Sequence, residues 1–240
     1  MKQDLIGQRV DILDKGWIEL VDFMPHPQTG VSGDLAIVNA ARTSFLGESK
    51  GAEQDKKLLF YLLRHQHSTP FEMVEFKFRI HAPLMTFWQL VRHRTFSFSA
   101  QSGRYTAFEE NDFYVPDAWR KQSPDNKQAS EGAVEAAQGT YLTEQLIHHY
   151  EASYKHYQAA LDAGVAKELA RLFLPGFSVY YTWVAKVDAH NLMRFLKLRM
   201  AGDAQYEIRV YAQAIYEHFF KPALPWTAEA FEKHILQDKV

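Results

Sequence analysis

The chain has 240 residues, 47% of them apolar and 14% aromatic, enough to bury a sizeable core in one domain over residues 1–240. Lys and Arg total 27 against 29 Asp and Glu, a formal charge of −2, which argues against a protein built to coat nucleic acid or an anionic membrane. There is no cysteine, so disulfides, thiolate metal sites, iron–sulfur clusters and thiol nucleophiles are excluded together.

No apolar run approaches the roughly 18 residues of a membrane span, and Met1-Lys2-Gln3-Asp4 opens no secretory signal. A soluble, cytoplasmic protein is expected. Along the chain, Arg9–Leu13 and Gly16–Phe23 read as strands joined by a turn at Asp14-Lys15-Gly16. A loop from Pro25 to Gly33 follows, then a helix capped by Asp34 and carrying Leu35, Ile37, Val38, Ala40 and Ala41. Leu58, Leu59, Leu62 and Leu63 mark a second helix that stops at Arg64-His65-Gln66-His67. Thr69, Pro70 and Glu72 fit a capping box with proline in the first turn. The next stretch alternates as a strand, with Val74, Phe76, Phe78 and Ile80 on one side. Pro83 breaks it, and Leu84–Val91 reads as a short apolar helix.

Residues 93–105 read as a polar loop and 115–132 as the most linker-like segment, a loop or insertion. A long helix is expected from about Gly132 to Ala163, with an apolar stripe through Ala136, Tyr141, Leu146 and Tyr150. Further helices are expected over 165–173, near 189–200, over 204–221, and at the end with Thr227 as cap. An aromatic strand or helix runs through Trp183. The fold class is α+β: mixed helices with a small antiparallel sheet.

Arg92-His93-Arg94 and, after a serine-rich stretch, Gln101-Ser102-Gly103-Arg104 concentrate arginines and hydroxyls within thirteen residues. Arginine forks, serine hydroxyls and glycine-adjacent N–H groups are what a phosphomonoester or pyrophosphate requires. The segment contains no acidic residue to neutralise its arginines, so an anionic ligand is a better account than a solvated basic loop.

The pattern Arg-His-Arg, seven residues, then Ser resembles the signature of flavin-dependent thymidylate synthases. Ala40-Ala41-Arg42-Thr43-Ser44, His67-Ser68-Thr69-Pro70-Phe71-Glu72, Arg171 with Leu174-Pro175, and Asn191 to Arg199 followed by Ala204 to Arg209 are similar to further blocks of that family, in order, over roughly residues 15–225. The resemblance implies a homotetramer with shared active sites that converts dUMP to dTMP. It implies 5,10-methylenetetrahydrofolate as carbon donor and NADPH as reductant through FAD. It assigns dUMP to Gln89, Arg92, Gln101, Ser102, Gly103, Arg104, Arg171 and Arg199, with Arg199 catalytic. It assigns FAD to Ser44, His67, Thr69, Arg92, His93, Arg94, His190 and Arg194, and no metal.

Leu192, Phe195 and Arg199 share one helix face, so Arg199 either snorkels to the surface or lines a cleft. The family places an arginine there against the pyrimidine, where it favours ionisation at N3. Ser102 is read as a phosphate ligand: a serine nucleophile needs a paired base, and its neighbours are arginines. The chain departs from the family pattern at Ala100, at Asp188-Ala189-His190, at Arg194 and at Asp203. Two rivals are weaker. A zinc hydrolase built from His65, His67, His81 and His93 with Glu72 lacks a His-Glu-x-x-His pattern. A nucleotide or RNA-binding module stacking bases on Phe96, Phe98 and Tyr105 sits poorly with the near-neutral charge.

Overall fold

The computed structural model describes residues 5–236. Among these, the strands are β1 (Arg9–Ile12), β2 (Gly16–Met24), β3 (Glu75–Pro83), β4 (Ser97–Ala100), β5 (Arg120–Gln122), β6 (Ser130–Ala133) and β7 (Tyr180–Asp188). Five of them form one antiparallel sheet in the order β1-β2-β3-β7-β4, while β5 and β6 make a separate hairpin. The helices are α1 (Gly33–Arg42), α2 (Ala52–Arg64), α3 (Leu84–Leu90), α4 (Ala136–Asp162), α5 (Lys167–Ala170), α6 (Ala189–Arg199), α7 (Tyr206–Ala214), α8 (Lys221–Ala223) and α9 (Pro225–Phe231). None is long and apolar enough to cross a membrane.

The sheet follows from period-two patterning. Phe76, Phe78, Ile80 and Ala82 of β3 and Trp183, Ala185 and Val187 of β7 are buried in one core with Leu192, Phe195, Ile208, Phe219 and Phe220 from the helical layer. Each fully buried aromatic or aliphatic side chain contributes about 1.5–3 kcal/mol, so these rows set the register. The alternate residues of β2, β3 and β7 carry ion pairs instead: Glu19–Arg79, Asp22–Lys77 and Glu75–Lys186. Gly16 starts β2 where a methyl group would run into the Tyr211 hydroxyl, which donates to the His81 carbonyl at 2.7 Å. A second apolar cluster (Phe108, Phe113, Tyr150, Tyr157, Ala170, Leu174, Val179) lies under α4.

Several sequence expectations are corrected. Ser32, not Asp34, caps α1 by accepting from the Leu35 N–H. Asp34 lies inside α1, buried, and accepts instead from Trp226 N–H, Thr227 N–H and the Thr227 hydroxyl. It therefore caps α9 across the core, and Thr227 is a donor inside that helix rather than its cap. Thr69 opens a 3-10 turn, Thr69–Met73, with no side-chain cap bond, so the capping box does not form. Pro83 ends β3 from within it, its lost N–H coinciding with the start of α3.

The loop 93–105 contains the edge strand β4, and 115–132 contains β5 and the start of β6; both are short and solvent-facing, without an alternating apolar signal. Helix α4 starts at Ala136, after the strand residues Ser130–Ala133. Its buried face runs through Tyr150, Ser153 and Tyr157, while Tyr141 is 59% exposed. The 165–173 helix is a single turn, α5, followed by 3-10 Arg171–Phe173. Trp183 lies on a strand. The 204–221 helix is α7, continued by the π-helical turns Ile215–Phe220 into α8.

Candidate active site

Three groups of predicted residues are brought together by the fold. The first sits where α3 ends beside the end of α6. Leu192 and Phe195 anchor α6 in the core, and the same face runs out to Arg199, which is half-buried. Its Nε donates to His93 Nε2 at 3.0 Å and its Nη2 to the Gln89 carbonyl at 3.3 Å. The turn after α3 places His93 by hydrogen bonds from its N–H to the Leu90 carbonyl and from Phe96 N–H to its own carbonyl. The imidazole stands edge-on to Phe195, with ring centroids 5.0 Å apart. Burial, then the charges of Arg199 and Arg194, lower its pKa from 6.5 to about 4. His93 is thus a neutral acceptor with its proton on Nδ1. Burial and the neighbouring Arg92 lower the Arg199 pKa too. Arg199 is thus half-buried, with two of its nitrogens held by His93 and Gln89.

The second group is the loop after β4. Gln101 pairs with β7 by its backbone and its side chain: its N–H donates to the Thr182 carbonyl and its Oε1 accepts from Thr182 N–H. The Tyr181 hydroxyl donates to the Gln101 carbonyl. Ser102 Oγ accepts from Arg104 N–H at 3.3 Å. Gly103 is buried; a Cβ there would stand 2.8 Å from the Phe108 ring and 3.3 Å from Arg171 Nη1. Arg171 therefore abuts the loop, its Nε donating to the Glu168 carbonyl. One expectation changes here. The loop has no acid of its own, but α5 brings Glu168 to Arg104 at 2.8 Å, an exposed pair.

The third group lines a cavity of about 740 Å³ between the end of α2 and the first turns of α6. His67, His190 and Arg194, far apart in sequence, meet there. Arg64, Lys197 and Lys233 add three cations and no carboxylate lines it. Leu62, Leu63, Phe71, Met193 and Phe231 supply an apolar wall. A cationic, acid-free cavity with an apolar side has the donor set for a pyrophosphate joined to an aromatic ring, so these residues fit a flavin dinucleotide. Asp188, where the family pattern has another residue, caps α6 by accepting from Asn191 N–H at 2.9 Å and thereby positions His190.

Other predicted residues are placed differently. Arg92 and Arg94 are exposed in the turn after α3, and Arg92, Arg94, Arg171 and Arg194 make no ion pair among the described residues. Thr69 is exposed beside the cavity-lining Ser68. Ser44 is exposed in the turn Thr43–Phe45 and does not line the cavity. The histidines of the zinc reading stay apart: His81 faces Asp112 across 3.4 Å, His93 faces Arg199, and His65 packs on Tyr61.

Sequence reasoning missed Glu207. It is buried and receives Arg120 at 2.5 Å, Tyr114 at 3.2 Å and Gln205 at 3.0 Å. Gln205 Oε1 in turn accepts from Gln89 Nε2 at 3.4 Å. Burial pushes the Glu207 carboxyl up, but the Arg120 and Gln205 hydrogen bonds outweigh it and hold its pKa low. The signal was available in part, as a glutamate inside the Gln205-Tyr206-Glu207-Ile208-Arg209 block.

Comparison with known proteins follows the same lines. Residues 19–226 match the family described as thymidylate synthase complementing protein. The chain is 45% identical over 228 residues to a flavin-dependent thymidylate synthase of Thermus thermophilus, covering 95% of this chain and 80% of that protein. It is 41% identical over 225 residues to the enzyme of the same name from Dictyostelium discoideum, covering 92% and 73%. Among solved structures it is similar to a UMP/dUMP methylase, PolB, from Streptomyces cacaoi bound with 5-Br dUMP: TM-score 0.80, 32% identity, 93% of this chain and 97% of that one. With its arginine groups, its sheet and its sequence all in agreement, the chain belongs to the flavin-dependent thymidylate synthase family.

Proposed function

We propose that the protein converts dUMP to dTMP by reductive methylation, with 5,10-methylenetetrahydrofolate as carbon donor, NADPH as reductant and FAD as cofactor. His67, His190, Arg194, Ser68 and Lys197 would hold FAD in the cavity; Arg92, His93, Arg94, Thr69 and Ser44 do not line it, and for them only the family resemblance supports a contact to FAD. Bound there, FAD supplies the electron pair that turns a transferred methylene into a methyl group.

The remaining chemistry belongs to the side chains. Arg171, Arg104, the Gly103 amide and the Ser102 hydroxyl would bind the dUMP phosphate, the exposed Arg104–Glu168 pair exchanging its carboxylate for the stronger dianion. No base touches Ser102, whose recorded side-chain partner is the Arg104 N–H, so it acts as a ligand and not a nucleophile. Gln89, Arg92 and Arg199 would meet the nucleoside. His93 and the Gln89 carbonyl take the Nε–H and one Nη2–H of Arg199, so the two N–H groups of Nη1 and the second of Nη2 are left for the pyrimidine. A cation there favours loss of the N3 proton to solvent. The electron pair left on the ring enriches C5, which forms the new bond to the one-carbon unit; that unit's bond to its carrier nitrogen breaks, the nitrogen keeping the electron pair, and C5 gives up its proton to solvent.

The Gln89–Arg199 group and the Ser102–Arg171 group share no hydrogen bond among the described residues. Beside Arg171, Leu172 is 78% and Phe177 74% exposed, an apolar surface that an assembly would cover. Both observations support a homotetramer whose sites combine groups from neighbouring copies.

The observation that carries the reading is Arg199 held by a neutral His93 on the helix whose Arg194 and Lys197 line an acid-free cavity. The test is purification followed by visible spectroscopy and turnover. The protein should take up FAD, and its flavin spectrum should change with dUMP. The Arg199→Ala variant should keep the flavin spectrum and lose about 100-fold in kcat. A colourless protein that binds no FAD and forms no dTMP would overturn the reading, and unchanged turnover in Arg199→Ala would return that residue to a surface role.

A further inference from the structure

The flavin cavity does not end at α6. Arg64, Lys233 and His234 also wall a second groove of about 520 Å³, open along α2. Lys56 and Lys57 line its far end, so the groove carries the cations Lys56, Lys57, Arg64 and Lys233 against the carboxylates of Glu53 and Glu229. From Lys56 to Arg64 is eight residues of helix, about 12 Å along the axis. The groove has an aromatic strip as well. Phe60 meets the His234 ring edge-on at 6.0 Å, and exposed Tyr61 stands edge-on to the cavity residue His67 at 5.9 Å. Lys233 and His234 lie beyond residue 226, where the match to the family ends, so this wall is not part of what the family model describes.

Of these cations, Lys56 and Lys57 have partners that are easily exchanged, and Arg64 and Lys233 make no ion pair among the described residues. Lys56–Glu229 and Lys57–Glu53 are exposed pairs, of the kind that contribute little to stability. A single phosphate is recognised by convergent forks around one point. Here the cations are strung out along a line next to aromatic edges. That arrangement suits a chain of carboxylates leading away from an aromatic ring.

We propose that this groove binds the oligoglutamyl tail of the folate co-substrate, with its aryl amide against Tyr61 and its carboxylates along Lys233, Arg64, Lys57 and Lys56. The inference rests on the folate dependence proposed above. It assigns the groove to the carbon donor and not to the phosphorylated ribose of the nicotinamide nucleotide, the other anionic co-substrate.

The test compares mono- and pentaglutamyl methylenetetrahydrofolate, and NADPH with NADH, in the wild-type enzyme and a Lys56→Gln/Lys57→Gln double variant. Both substituted lysines have only exposed partners, and circular dichroism checks that the variant is folded. The expected result is a wild-type KM about tenfold lower for the pentaglutamate. The double variant should lose most of that preference and keep its monoglutamate kinetics, its dUMP KM and its NADPH-to-NADH ratio. Equal KM values for the two folates in the wild type would overturn the proposal, as would an unreduced preference in the variant. A change confined to the NADPH-to-NADH ratio would overturn it in favour of the nucleotide. Absence of dTMP with either folate would overturn the functional reading beneath it, a result distinct from equal turnover of the two.

Discussion

His93 shows how one side chain can be set by its surroundings. An imidazole beside Arg199 and Arg194, half-buried against Phe195, cannot hold a second proton easily, and its pKa falls from 6.5 to about 4. Between those values the unfolded chain takes up a proton that the folded chain refuses. The stability tied to His93 is therefore whole above pH 6.5 and declines as pH falls toward 4. Side-chain NMR should show the His93 ring neutral at pH 6 and titrating near 4 as acid is added; a midpoint at its ordinary value would mean the contact to Arg199 is not kept in solution. Gly103 is a second case, with steric rather than electrostatic control. A methyl there would press on Phe108, itself locked in the cluster beneath α4. Gly103→Ala should lower unfolding free energy in urea by about 1–3 kcal/mol and raise the KM for dUMP, because Arg171 Nη1 must move with it.

Among the elements, the hairpin β5–β6 is held to the body of the protein through one buried carboxylate. Glu207 on α7 receives Arg120 from the hairpin and Tyr114 from the loop before it. Arg120 also lies over the Tyr206 ring at 4.6 Å. Glu207→Ala removes the partner of all three donors at a site 3% exposed. It should cost about 3 kcal/mol in a denaturant titration, and Glu207→Gln less. Hydrogen exchange should rise over residues 115–133 in the same variant; uniform protection would show that the hairpin is anchored elsewhere. This element was illegible in the sequence because its strands are exposed on both faces, so no alternation marks them. β4 escaped because it is four residues long and only Phe98 packs against the core. By contrast, β3 announced itself, since Phe76, Phe78 and Ile80 must all reach one core. Asp34 and Thr227 illustrate the opposite failure: each was recognised as a capping type, yet Ser32 caps α1 and Asp34 reaches across to cap α9, with Thr227 as its donor, because α1 and α9 pack together.

For the molecule as a whole, the division of the arginines into two unconnected groups has a direct consequence. If neighbouring copies complete each other's sites, Arg199→Ala spoils one group and Arg171→Ala the other. Each variant alone should be nearly inactive. Mixed and reassembled, they should regain about a quarter of wild-type activity, since random pairing leaves that share of sites with both groups intact. No recovery in a mixture proven to contain both chains would place every site within one copy.

Local residue types and their spacing were enough to read the main strands, the core helices and the family. Such features are written in neighbouring residues, through periodicity and through motifs whose donors must be close in the chain. Which charges are free was a different matter. Glu168 comes to Arg104, His93 takes Arg199, and His67 joins His190 and Arg194 only because α2, α5 and α6 pack as they do. Electrostatics depends on distance in space, and distances between remote segments exist only after the chain has folded.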